Sequence, residues 1–117
     1  MKVGSIVIDC NDFETMTAFW SDALHYRPAR EPDGDFVVLR DPEGNNVNVS
    51  LQKVPERATE KNRLHFDLYA TDQAGEVQRL LGIGATLHPR EPESGDDFVV
   101  LADPEGNLFC VIDVSER

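Results

Sequence analysis

Apolar residues follow two periods along this chain, and the order of the periods repeats. Residues 3–9 are rich in valine and isoleucine, with Ile6 and Ile8 alternating against Ser5, Val7 and Asp9 as in a half-buried strand. Asn11 and Asp12 suit a helix N-cap, and Glu14, three after Asn11, completes a capping-box pattern. Phe13, Met16, Trp20, Ala23 and Leu24 then recur at helical spacing. A Pro/Gly-rich stretch over 28–34 leaves room for a short strand at 27–30. Residues 36–39 and 47–51 read as strands joined by Asp41-Pro42-Glu43-Gly44-Asn45, where proline sets φ and glycine supplies a positive φ. The order is βαβββ.

The second half predicts the same series. A strand is expected over 63–70, then a helix capped by Asp72 that carries Ala74, Val77, Leu80 and Leu81 and ends at Gly82 and Gly84. A short strand over 86–89 follows. Residues 98–101 and 108–112 form a hairpin about Asp103-Pro104-Glu105-Gly106-Asn107. Residues 53–62 are a polar linker containing Pro55.

The halves also share letters. FVVLRDPEGNNVNV at 36–49 returns as FVVLADPEGNLFCV at 98–111, with ten of 14 positions identical. Arg30-Glu31-Pro32 returns as Arg90-Glu91-Pro92. The chain is therefore read as one domain of two modules, 1–57 and 58–117.

Charge removes whole classes of function. Asp and Glu number 22 against 11 Lys and Arg, a net charge of -11 with pI near 4.5. No basic footprint for nucleic acid or for an anionic membrane exists. The 40% hydrophobic and 28% charged fractions are those of a globular protein, and 117 residues bury a core without disulfides. No signal-peptide pattern and no apolar run near the roughly 18 residues of a span predict a cytoplasmic protein. Cys10 and Cys110 sit in apolar strands, outside any CxxC pattern, and read as reduced thiols.

Paired βαβββ modules with a DPEGN turn in each, and Phe19-Trp20 inside the first helix, resemble the vicinal oxygen chelate superfamily of glyoxalases, bleomycin-resistance proteins and extradiol dioxygenases. Gly106-Asn107-Leu108-Phe109-Cys110 is similar to the short glyoxalase-like domains within it. The resemblance implies an α+β fold in which two tandem βαβββ modules form a curled mixed sheet around a cleft, and a homodimer. It also implies metal ligands from the first strand of each module and from the strand after each DPEGN turn. Matching Asp12 to Asp72 puts those slots at Ser5, Asn48, His65 and Cys110. Only His65 fits the usual His/Gln, Glu, His, Glu set, so no metal or other cofactor is expected, with a divalent metal the less favoured alternative.

Strand alternation sorts the rest. Leu64, Phe66 and Leu68 should pack on a helix, leaving His65, Asp67 and Tyr69 toward the cleft. Ser5, Val7 and Asp9 join them from the first strand, Asn48 from the fourth, and Cys110 and Ile112 from the last. Asp9 and Asp67, read as buried carboxylates without a basic partner, invite a cationic ligand, a proton or water. His25 and His88 receive no role. Three functions fit: a metal-free binder of a small cationic or aromatic molecule, a lyase or isomerase with His65 as general base or with a divalent metal, and a non-catalytic regulatory or interaction domain.

Overall fold

The computed structural model describes residues 2–57, 64–91 and 93–116. Arg63, residues 58–62 of the expected linker, and Pro92 lie outside them. Two compact units divide the chain, Met1–Thr59 and Glu60–Arg117.

Unit 1 runs β1 (Ser5–Cys10), α1 (Phe13–Leu24), β2 (Arg27–Pro28), β3 (Phe36–Arg40) and β4 (Asn48–Lys53). Its sheet has the order β1-β4-β3-β2, with β1 parallel to β4 and the other pairs antiparallel. Asp12 caps α1, taking hydrogen bonds from the Thr15 amide and hydroxyl. Asn11, expected to share the cap, instead donates its side-chain amide to the carbonyls of Val54 and Glu56, tying the end of β1 to the segment after β4. Met16, Phe19, Trp20 and Ala23 form the buried stripe of α1. They pack against β4, whose Val49 and Leu51 are also buried. Met16, Phe19, Val49 and Leu51 each contribute about 1.5–3 kcal/mol on leaving water. His25 ends the helix in the left-handed region at φ 57°.

Unit 2 repeats the path: β5 (Asp67–Ala70), α2 (Gln73–Gly82), β6 (Thr86–Leu87), β7 (Phe98–Ala102) and β8 (Leu108–Asp113), in the order β5-β8-β7-β6. Asp72 caps α2 through the Gly75 amide. Val77 and Leu80 are its buried residues, and α2 packs on β8, where Phe109 and Val111 are buried.

The unit 2 strand is shorter than the alternation predicts. It begins at Asp67, and ahead of it the Phe66 carbonyl accepts from the Cys110 amide of β8 at 2.8 Å. Leu64, expected in the core, is 70% exposed because it precedes the part of the sheet that α2 covers. The architecture is α+β, two βαβββ units each with a four-stranded mixed sheet. No helix among the described residues is long and apolar enough to cross a membrane.

Candidate functional site

Each hairpin turn is built by its first aspartate. Asp41 accepts from the Glu43 and Asn45 amides, and these bonds, the first above all, hold its carboxyl below the usual carboxylate range. Asp103 makes the equivalent bonds to Glu105 and Asn107 while buried. Gly44 and Gly106 take φ 73° and 88°, where a side chain would strain the backbone. The turns set the registers of β4 and β8, and so decide which side chains share a face.

In unit 1 Ser5 lies opposite Asn48, Val7 opposite Ser50 and Asp9 opposite Gln52. Ser5, Val7, Asp9 and Asn48 therefore share one face, as the alternation predicts. The Ser5 hydroxyl is 2.6 Å from that of Ser50, which is fully buried. Val7 and Asp9 are exposed and Asn48 is half-buried.

In unit 2 Asp67 lies opposite Cys110 and Tyr69 opposite Ile112. Ser5 thus corresponds to Asp67, and Val7 to Tyr69. The match of Ser5 to His65 through the helix caps is two residues out, because β1 continues to Cys10 whereas β5 stops at Ala70. An even slip keeps the face and changes the position along it.

His65 Nε2 stands 3.3 Å from Asp67 Oδ1, with both side chains about half exposed. The expectation of buried, unpartnered carboxylates fails on both counts: Asp9 and Asp67 are exposed, and His65 accompanies Asp67. Burial raises the Cys110 thiol above its ordinary value; the Asp67 charge and a hydrogen bond to Asp67 raise it further, against the pull of Arg90. Arg90 Nη1 bonds Asp96 at 2.9 Å, and its guanidinium lies 4.5 Å above the Phe98 ring.

A cavity of about 250 Å³ opens on this face. Its walls are Leu64, Val100, Leu108 and Phe109, and its polar members are His65, His88, Arg90 and Cys110. Tyr69 and Ile112 share the face but do not line the cavity. His88, assigned no role by the sequence reading, and Arg90 enter because the chain stays beside β7 after β6 ends: the His88 amide bonds the Val100 carbonyl at 3.0 Å. Alternation from Thr86, opposite Ala102, would have placed His88 on this face.

The four-ligand chelate implied by the resemblance does not fit these residues. The Ser5 hydroxyl is engaged by Ser50, and Asn48 offers an amide, a poor donor for divalent transition metals.

A profile of the glyoxalase-like domain family matches residues 5–112. A glyoxalase-related enzyme from Fulvimarina pelagi is similar at 15% identity and TM-score 0.74, over 97% of this chain and 88% of that one. A glyoxalase/bleomycin resistance protein/dioxygenase family enzyme from Burkholderia phytofirmans is 21% identical, with TM-score 0.73 and coverage of 97% and 99%. The fosfomycin resistance protein FosX of Listeria monocytogenes, solved with Mn(II) and 1S,2S-dihydroxypropylphosphonic acid, is 14% identical, with TM-score 0.75 and coverage of 95% and 88%. At these identities the likenesses speak for the fold. No curated protein sequence matches the chain.

Proposed function

The chain belongs to the glyoxalase-like domain family, and on that premise we propose that it binds a compact aromatic molecule bearing an oxygen acceptor in the unit 2 cavity. The carrying observation is the lining: apolar Leu64, Val100, Leu108 and Phe109 beside the donors His65, His88 and Arg90. Small-molecule sites combine apolar walls with a few convergent polar groups in this way. The volume of about 250 Å³ is just below the roughly 300–1,000 Å³ of drug-sized sites, which favours a small ligand. The overall charge of -11 argues for a cationic ligand, but salt screens it beyond about 8 Å, so the local groups decide. Asp96 offsets part of the charge of Arg90, so a carbonyl or phenol serves as well as a carboxylate. A thermal-shift series of aromatic acids, ketones and amines tests this. Acceptor-bearing compounds should raise the melting temperature, by about 2.7 kcal/mol of added stability at a hundredfold excess over Kd. A series in which only amines act, or none, overturns it.

The pairing of His65 with Asp67 supports a second reading, proton abstraction beside a carbonyl. Asp67, 3.3 Å from Nε2, would orient the ring and leave Nδ1 as the nitrogen that takes the proton. His65→Ala should then abolish turnover of a bound carbonyl compound, and full retained turnover would remove His65 as the base. We place a homodimer in the same proposal; light scattering on the eluting protein reports the mass that decides it.

A further inference from the structure

We propose that Asp96 is a specificity-determining residue of the unit 2 cavity, resting on the aromatic-ligand reading above: by sharing the charge of Arg90 it tunes the site to uncharged aryl carbonyl compounds and away from aryl carboxylates.

Arg90 is fixed from two sides. Its guanidinium lies 4.5 Å from the centroid of the Phe98 ring, and its Nη1 donates to Asp96 Oδ2 at 2.9 Å. Asp96 is itself held. The same Oδ2 accepts from the Glu93 amide at 2.9 Å, and the Asp96 amide donates to the Glu93 carbonyl at 3.2 Å. The Arg90 and Asp96 side chains are 30% and 20% exposed, so water screens the pair only in part. The Glu93 amide, and then Arg90, hold the Asp96 carboxyl below the usual carboxylate range, so it carries its charge at neutral pH.

The pairing leaves donors over. In α2, Arg79 spends both Nε and Nη2 on Glu76. Arg90 spends Nη1 alone, and among the described residues its Nε and Nη2 have no partner. Arg90 lines the cavity, so it offers hydrogen bonds to an occupant while its charge is already shared.

This arginine belongs to unit 2 and not to the repeat. The Ala29 amide bonds the Val38 carbonyl in unit 1, as the His88 amide bonds the Val100 carbonyl in unit 2. Two residues further on stand Glu31 in the first copy and Arg90 in the second. The shared letters Arg30-Glu31-Pro32 and Arg90-Glu91-Pro92 are therefore one position out of step with the ladders, and an odd slip exchanges faces.

Charge gives the selectivity. A ketone oxygen accepts N–H bonds from Arg90 and asks for no counter-charge. A carboxylate brings a second negative charge to a guanidinium that already serves one, and it meets the repulsion of Asp96. An unmatched charge of this kind discriminates against one ligand without a new contact to the other.

The experiment compares acetophenone with benzoate, which share the ring and the carbonyl and differ by a methyl group against a charged oxygen. Calorimetry gives Kd for each on the full chain, as wild type, Asp96→Asn and Arg90→Gln. Both bonds accepted by Asp96 end on one oxygen, so an asparagine oxygen accepts the same two and only the charge is lost. Melting curves show that each variant is folded. Wild type should bind acetophenone at least as tightly as benzoate. Asp96→Asn should tighten benzoate about tenfold and leave acetophenone within about twofold. Arg90→Gln should weaken both. A merely structural role for Asp96 would move the two Kd values together. That result overturns the proposal, as does a wild type that prefers benzoate or an Arg90→Gln that alters neither compound. Where both compounds bind and their ratio does not move, the aromatic-ligand reading stands and the role of Asp96 falls. Where neither binds wild type, both fall.

Discussion

In unit 1 the sheet face away from α1 carries Ser5, Val7, Asn48 and Ser50; in unit 2 the same ladder positions carry Asp67, Tyr69, Cys110 and Ile112. The inner faces differ in the opposite sense. Eight residues after its N-cap, α1 buries Trp20, packed edge-on against Phe19 with ring centroids 5.1 Å apart. The same place in α2 holds Leu80. One copy of the scaffold invests its bulk in packing, while the other concentrates ionisable groups on its outer face. A duplicated unit allows this division, because each half forms its own four-stranded sheet.

The comparison breaks most readily at the core. Trp20→Ala should cost about 3–5 kcal/mol and Leu80→Ala less, as read from urea midpoints. An equal loss from both would mean that the units contribute alike to stability. The hairpin turns come next. Asp103→Ala empties a buried site and strands two part-buried amides, which should cost about 1–3 kcal/mol, whereas Asp41→Ala, at the more open turn, should cost less. If the order reverses, burial is not what distinguishes the two turns.

The thiols sharpen the contrast without changing stability. Cys10 is 2% exposed and should react with iodoacetamide only on unfolding. Cys110 is more open but holds its proton, so its rate should climb only above the ordinary thiol range. Rapid alkylation of Cys110 at pH 7 would contradict the effect of burial and of Asp67. Asp12, Asp96 and Asp113 all have lowered carboxyl values, each from hydrogen bonds within its own unit. Their folded values lie below the unfolded ones, so their contribution is present above pH about 4 and is lost as pH falls through the folded values. The smallest effect is expected for Ser5→Ala, about 1 kcal/mol, with ligand binding in unit 2 unchanged.

The fold was legible because it rests on periodicity and turns. Phe13 to Leu24, the two DPEGN segments and the repeated FVVL strands each state their element locally. Faces were legible as well, since alternation survives an even slip. Positions along the strands were not: the distance from strand end to helix cap differs between the units, and only the ladder reveals it. Exposure was misread for Asp9, Asp67 and Leu64, because alternation says which face a residue takes and not how far the helix reaches over it. His88 and Arg90 escaped notice because a two-residue strand gives almost no period to read.

The parallel pairing in each unit also sets a timetable for synthesis. Ser5 meets Asn48 only after the 43 positions up to it have been made. At about 5–20 residues per second, β1 therefore spends roughly 2–9 seconds as an emerged strand without its partner. Ser-Ile-Val-Ile-Asp-Cys is apolar enough to seek another edge in that interval, and Asp9 is the one charge that discourages it. Removing that charge should matter more to the yield of newly made protein than to the stability of the finished one.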